Sequence, residues 1–274
     1  GAAVEKMETH IYYIFLAGDR AYKMKRAVRL PYADFSTPGL RLAACRKEID
    51  LNSRTAPELY LRVRRIICKA DGTPEFDGDG ELVDAVVEMK RFDQSFLFDR
   101  MAQAGKLTPT LMTETARAIL RFHQGAPVVH SGGGAANVEG VLDVNRAGFA
   151  TSHVFNEAEI DAFDASFRAT LTRHASLLDR REAAGKVRRC HGDLHLRNIC
   201  LPDGEPRLFD CIEFNDDIAT IDILYDLAFL LMDLWHRGFP DLANLVANRY
   251  LDEADDEDGF ALLPFFMAIR AAVR

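Results

Sequence analysis

One stretch constrains the fold of this chain more than any other: Cys190-His191-Gly192-Asp193-Leu194-His195-Leu196-Arg197-Asn198-Ile199-Cys200, followed by Leu208-Phe209-Asp210. Asn198 stands five residues after Asp193, and Asp210 twelve after Asn198. Lys186 to Cys190 reads as a short strand leading in, Leu201-Pro202-Asp203-Gly204 as a turn, and Arg207 to Ile212 as a second strand. The polar loop is thus pinned between strands, and Asp210 returns beside Asn198. A plain hairpin with turn-forming Asp and Asn is the alternative.

Phosphoryl transfer from a nucleotide needs this set of groups. One carboxylate orients and deprotonates an attacking hydroxyl, while an amide oxygen and a second carboxylate hold magnesium against the phosphates. Asp193 reads as the base, and Asn198 and Asp210 as the metal ligands. A zinc site from Cys190, His191, His195 and Cys200 is the weaker reading, because their spacing matches no common finger or ribbon. Neither His-Glu-x-x-His nor Gly-x-Ser-x-Gly occurs.

His191-Gly192-Asp193-x-His195-x-x-Asn198 with Phe209-Asp210 resembles the catalytic and metal-binding segments of aminoglycoside phosphotransferase-like kinases, which share the protein-kinase fold. The likeness continues through Cys211-Ile212-Glu213-Phe214 and Tyr225-Asp226-Leu227-Ala228-Phe229-Leu230. It is greatest to the branch in which such a domain precedes a P-loop ATPase domain. The resemblance implies an α+β, two-lobed protein-kinase-like fold. Residues 1–91 would form a small, mainly antiparallel β lobe with one key helix, ending in a hinge. Residues 92–274 would form a mostly helical lobe with the catalytic loop and acceptor site. It further implies ATP or GTP and Mg2+ as cofactors, His191 as an anchor of the loop backbone, and Asp226 as a hydrogen-bonding support beneath it. A P-loop ATPase region downstream of Arg274 is expected on the same ground.

Gly1-Ala2-Ala3 reads as a trimmed end. Thr9 to Leu16, the turn at Gly18-Asp19, and Ala21 to Val28 give a β-hairpin signal. Lys23 and Lys25 share one face of its second strand by the period of two. Ala21-Tyr22-Lys23 resembles the family's phosphate-binding lysine segment, which favours Lys23 and leaves Lys25 as the rival. No Gly-x-Gly-x-x-Gly sits at the hairpin and no P-loop motif occurs anywhere. After the connector Pro31 to Pro38, Thr37-Pro38 opens a helix. Its inward positions read as Leu40, Ala44, Ile49 and Leu51. Glu48 is the expected partner of the lysine, with Asp50 as the alternative. Leu59 to Cys68 and Leu82 to Met89 read as strands, and Asp77 and Asp79 as turn residues rather than a calcium loop. By position in the resembling fold, backbone groups of Glu88, Met89 and Lys90 would pair with adenine.

From Ser95 the pattern turns helical: Phe96 to Ala104, Pro109 to His123, Val138 to Phe149, and Glu157 to Ala184 with Asn156 as N-cap. His123 reads as a packed or capping histidine, and His130-Ser131-Gly132-Gly133-Gly134 as a linker. Ile221 to Trp235 is an apolar helix carrying Asp222, Asp226 and Asp233, and buried carboxylates require partners. Arg197 is the expected partner of Asp222. Leu242 to Tyr250 and Leu262 to Arg274 are the last helices, and the acidic run Asp252 to Asp258 between them reads as a solvated loop.

The net charge of −8 argues against nucleic acid as a general partner, which would need a basic field. No apolar run has the length of a membrane span, and no signal-peptide core is present, so a cytoplasmic protein is expected. Five cysteines without a repeating pattern suit reduced thiols. The leading expectation is a magnesium-dependent phosphotransferase acting on a small-molecule hydroxyl. Two alternatives stand beside it: a nucleotide-binding module regulating a fused ATPase, and an enzyme whose acceptor is a protein side chain.

Overall fold

A computed structural model describes residues 4–30, 32–130, 132–152 and 154–273. The readings of Gly1-Ala2-Ala3, Pro31, Ser131 and Arg274 lie outside the described residues. The chain begins with β1 (Val4–Glu8), β2 (Tyr12–Ala17) and β3 (Arg20–Lys25), with the short strands β4 (Arg29–Leu30) and β5 (Ala33–Asp34) after them. Next come α1 (Pro38–Asn52), β6 (Tyr60–Cys68), β7 (Pro74–Phe76), β8 (Glu81–Lys90) and α2 (Phe98–Gln103). Helices α3 (Pro109–Gly125), α4 (Gly134–Ser152) and α5 (Glu157–Ala183) precede β9 (Val187–Arg189), β10 (Ile199–Cys200), β11 (Arg207–Leu208) and β12 (Thr220–Asp222). The chain ends in α6 (Ile223–His236), α7 (Pro240–Ala254) and α8 (Leu263–Val273). This is the expected α+β class, with an antiparallel sheet first and helices after.

Contacts divide the chain into two compact units: Gly1–Gly105 with Asn198–Asp216, and Lys106–Arg197 with Asp217–Arg274. These limits differ from the expected boundary after residue 91. Residues 92–105 and 198–216 join the first unit because their apolar and backbone groups are used there. Cys200 belongs to the same buried cluster as Cys45, Leu59, Tyr60, Val87 and Met89, and Leu201 N–H donates to the Phe96 carbonyl at 3.0 Å.

The first unit is a six-stranded sheet in the order β1-β2-β3-β8-β6-β7, antiparallel at each pairing. Gly18 makes the tight β2–β3 turn at φ 60°, a region that favours glycine. Helix α1 packs on β8 and β6. Thr37 caps it by accepting the Leu40 N–H at 3.3 Å, and Pro38 supplies the pre-set φ of a first helical residue.

The face of α1 meets expectation at Ala44 and Ile49, which pack against buried clusters, and departs from it in its most buried stripe. Arg41, Cys45, Glu48 and Asn52 are its buried residues, whereas Leu40 is 42% exposed. The buried stripe is mostly polar because each polar member has a partner. Arg41 donates to Asp84 at 2.8 Å and to the Phe35 carbonyl at 2.9 Å. Asn52 Nδ2 donates to the Glu48 carbonyl at 2.8 Å and its Oδ1 accepts the Cys211 N–H at 2.9 Å. A hydrophobicity pattern cannot find a stripe held by hydrogen bonds.

In the second unit α3 packs on α7, α4 on α5, and α6 on α7 and α8. Asn156 and Glu159 form a reciprocal capping box at the start of α5, which contributes about 1 kcal/mol to that helix. Ile223 to Leu234 of α6 are all buried. Among the described residues no helix is long and apolar enough to cross a membrane.

Candidate active site

In the first unit, three elements bring charged groups together. Strand pairing sets Lys23 opposite Val87, so Lys23 and Lys25 face α1. Lys23 Nζ lies 2.9 Å from Glu48 Oε1 and also donates to Asp210 Oδ1. Lys25 Nζ donates to Glu48 Oε2 and to Glu213 Oε1. The Tyr12 hydroxyl donates to the same Glu213 oxygen at 3.0 Å, and Lys23 Nζ sits 3.9 Å from the Tyr12 ring centroid. Lys23, Lys25, Glu48 and Glu213 are all buried.

Burial works against charge in these groups, and pairing prevails. Desolvation would lower the Lys23 pKa, but the Asp210 and Glu48 carboxylates hold it above the ordinary lysine value. Lys25 is likewise raised by Glu213 and Glu48 against desolvation. Burial would raise Glu48, but the two ammonium groups pull it down to about 2. Glu48 is therefore a carboxylate at neutral pH, as an ion-pair brace requires.

Asp210 follows a short ladder in which Ile199 pairs with Leu208, and Phe209 N–H donates to the Asn198 carbonyl at 3.0 Å. The hairpin thus returns Asp210 beside Asn198. Asp210 adopts φ 65°, an unusual conformation for a residue with a side chain. Its N–H donates to the Tyr60 hydroxyl at 3.0 Å, and the next N–H, of Cys211, is taken by Asn52. These two bonds hold the backbone that aims Asp210 at Lys23.

Glu88, Met89 and Lys90 do not join this cluster. Glu88 pairs with Tyr22 and Arg62, and Met89 with Ala21 and Tyr60, while Lys90 N–H donates to the Leu59 carbonyl at 2.9 Å. The segment is the end of a central strand, and its backbone groups are engaged by neighbours on both sides. The Glu88 side chain points to the face opposite Lys23, where Arg62 and Arg64 donate to it at 2.8 and 3.2 Å.

The second unit holds the loop with Asp193. Asp226 is fully buried and accepts the His191 N–H at 3.0 Å and the Gly192 N–H at 2.9 Å. Gly192 has φ 85°, so a residue with a side chain would strain the turn that presents both N–H groups to one carboxylate. His123 Nε2 lies 3.1 Å from Asp226, and His123 Nδ1 lies 2.7 Å from the Tyr250 hydroxyl. An ionised carboxylate only accepts, so Nε2 carries the proton and Tyr250 donates to Nδ1. Asp233 accepts the Leu196 N–H at 3.1 Å, securing the far side of the loop. Asp222 departs from its expected pairing with Arg197. It holds Arg181 at 2.7 and 2.9 Å, and Asp256 grips the same guanidinium at 2.6 and 3.1 Å. Asp256 is consequently buried, unlike the solvated run expected for Asp252 to Asp258.

The Asp193 side chain is 40% exposed, with His195 Nε2 3.4 Å from its Oδ2. Burial would raise its pKa, but the His195 hydrogen bond and the charges of His195, His191 and Arg270 bring it down to about 2. The group is an acceptor at neutral pH, able to orient a hydroxyl.

Residues 80–263 match the sequence profile of the phosphotransferase enzyme family called APH. The chain belongs to this family. The match spans Asp193, Asn198, Asp210 and Asp226 and begins after Lys23 and Glu48. Uncharacterised proteins of Mycobacterium tuberculosis (strain H37Rv) and Mycobacterium bovis are each 31% identical over 276 aligned residues, which is 99% of this chain. The chain spans about half the length of these curated relatives, 54%. Solved structures share the fold. An aminoglycoside-3'-phosphotransferase of type VIII has TM-score 0.51 at 15% identity, covering 99% of this chain and 94% of its own. A choline kinase from Cryptosporidium parvum has TM-score 0.58 at 10% identity, covering 99% and 81%. An ethanolamine kinase from Plasmodium vivax has TM-score 0.56 at 11% identity, covering 99% and 74%.

The structure brings Lys23, Glu48 and Asp210 together and sets Asp226 under the loop N–H groups, as the sequence led one to expect. Sequence reasoning missed Tyr12, Asn52, Tyr60 and Glu213. A charge count offers a signal for Glu213: two lysines on one buried face, with Glu48 alone between them, call for a further carboxylate.

Proposed function

We propose that this chain is a kinase of small molecules, transferring the γ-phosphate of ATP or GTP to an acceptor hydroxyl with Mg2+. The observation that carries this reading is the junction of Lys23, Glu48 and Asp210, from a strand, a helix and a hairpin, in a member of a phosphotransferase family. The names of three structural neighbours give small acceptors or substrates — an aminoglycoside, choline and ethanolamine — which supports a small acceptor here. Five free cysteines suit a cytoplasmic setting, which we propose as its place.

The residues fit the cofactor by their chemistry. Asp210 and Asn198 offer a carboxylate and an amide oxygen, the hard donors that magnesium prefers. The metal, when bound, supplies charge neutralisation on the transferring phosphoryl group. Lys23 would hold the nucleotide phosphates, braced by the ionised Glu48. Asp193 would orient the acceptor hydroxyl. With a pKa near 2 it is a weak base toward a resting alcohol, so it would take the proton late, as the new phosphorus–oxygen bond acidifies the hydroxyl.

A second reading is supported by the length of the relatives, nearly twice that of this chain. The remaining length would hold a P-loop ATPase region, with this chain as a nucleotide-binding regulator of it. Nucleotide binding without phosphate transfer to any hydroxyl compound, together with altered ATPase activity when the regions are joined, would favour the regulator.

The test is thermal stability with ATP or GTP, with and without magnesium, for the natural sequence and for Asp210→Asn. A ligand at a hundred times its Kd adds about 2.7 kcal/mol. A magnesium-dependent rise in Tm that the variant loses is expected. No rise with either nucleotide would overturn the proposal.

A further inference from the structure

Lys25 is a buried cation for which the proposed chemistry has no task. It is fully buried and touches two carboxylates. Asp210, Lys23, Glu48, Lys25 and Glu213 form one chain of contacts in which charge alternates, closed by the Tyr12 hydroxyl. Glu48 divides its oxygens, Oε1 to Lys23 and Oε2 to Lys25. The two ends of this chain differ in access. The Asp210 side chain is 30% exposed, and that of Glu213 is 1% exposed. One end can exchange partners with solvent species and the other is sealed.

We infer that Lys25 and Glu213 are positioning residues: a sealed ion pair that keeps Glu48 in place while Lys23 exchanges Asp210 for a phosphate. This inference rests on the nucleotide reading above. If Lys23 were the sole partner of Glu48, any shift of Lys23 toward a phosphate would leave a buried carboxylate uncompensated, which is strongly unfavourable. With Oε2 held by Lys25, Glu48 keeps its charge balance and its aim. Glu213 also lies three residues after Asp210, and Cys211 between them is tied to Asn52 of α1. The sealed pair therefore fixes the chain direction just beyond Asp210.

The paired variant Lys25→Met with Glu213→Gln removes one charge of each sign, so the net charge of the cluster is unchanged. Calorimetric binding of MgATP and MgGTP is measured on this variant and the natural sequence, alongside urea unfolding. The expected result is a stable fold with nucleotide affinity lower by about tenfold or more, the scale on which misplaced binding groups act. A purely structural pair would change unfolding and leave the affinity of the folded fraction intact. Affinity equal to that of the natural sequence overturns this inference and leaves the kinase reading standing. If the natural sequence binds neither nucleotide, the kinase reading falls and this inference with it. Glu213→Gln alone, which keeps shape and an acceptor for Tyr12, is the milder test. It must weaken binding in the same direction, and unchanged affinity overturns the inference.

Discussion

Asp226→Asn removes a charge with almost no change of shape, and the consequences can be followed bond by bond. Asp226 Oδ1 accepts the Gly192 N–H, and Oδ2 accepts the His191 N–H and faces His123. An asparagine offers one oxygen. If its amide nitrogen replaces Oδ2, His123 can switch tautomer and accept from it, with Tyr250 turning to accept from Nδ1. The His191 N–H then confronts another donor. If the nitrogen replaces Oδ1, the Gly192 N–H is the one left. Either way one buried backbone N–H is orphaned, at about 1–3 kcal/mol, and the surviving bonds lose charge assistance, about 1 kcal/mol more. The expected loss is about 2–4 kcal/mol in urea unfolding at neutral pH.

The acid limb supplies a second readout. Burial pushes the Asp226 carboxyl up, but the hydrogen bond from His123 and the charges of His191 and Arg270 leave it below its ordinary value. A depressed carboxylate adds stability that is fully present above its unfolded pKa, about 4, and is lost as pH falls through the folded value. The gap between the natural sequence and the variant should therefore narrow below about pH 4. Stability of the variant within about 0.5 kcal/mol of the natural sequence, with a parallel acid limb, would refute the reasoning.

Arg181→Met strips the guanidinium from Asp222 and Asp256 and leaves two buried carboxylates, with Lys186 3.3 Å from the second. A cost of about 3–5 kcal/mol in urea unfolding is expected, whereas a loss under 1 kcal/mol would show the pair to be well hydrated. Burial pushes the thiols of Cys45 and Cys200 up to about 12 and that of Cys190 well above its ordinary value, while Cys68 is partly exposed. A disulfide reagent at mild alkaline pH should therefore modify Cys68 first and all five after denaturation, as counted by thiol titration.

The fold class was legible because apolar alternation, turns and caps coincide locally. Asn156 with Glu159 and Thr37 with Pro38 each mark a helix start that the structure keeps. The loop around Asp193 was legible for a different reason, since the chemistry proposed for it requires particular residue types at short spacing. What stayed hidden was long-range and polar. Tyr12 lies 201 residues from Glu213 and Arg181 lies 75 from Asp256, and no local pattern links such partners. The inward face of α1 was half legible for the same cause: Ala44 and Ile49 pack inward as expected, but the polar stripe beside them was not foreseen. Arg41, Glu48 and Asn52 are buried by partners supplied from other segments, so side-chain hydropathy points the wrong way. The segment Glu88–Lys90 was read by position alone, because recognition through backbone groups leaves no trace in side-chain types; the structure places it at the end of a central strand paired on both sides.

The contact between Lys23 and Asp210 has a thermodynamic consequence. Any anion that draws Lys23 away leaves Asp210 without its ammonium partner, and any cation that draws Asp210 away leaves Lys23 with Glu48 as its one remaining carboxylate. Either visitor alone must separate an ion pair and meet half of the exposed charge. Arriving together, they meet both halves, and the separation is compensated at each end. Cation and anion are then linked as mutual effectors: each raises the affinity for the other by the same factor, because the cycle closes. An ammonium–carboxylate contact of this kind acts as an electrostatic gate that favours the complexed pair over its separate ions.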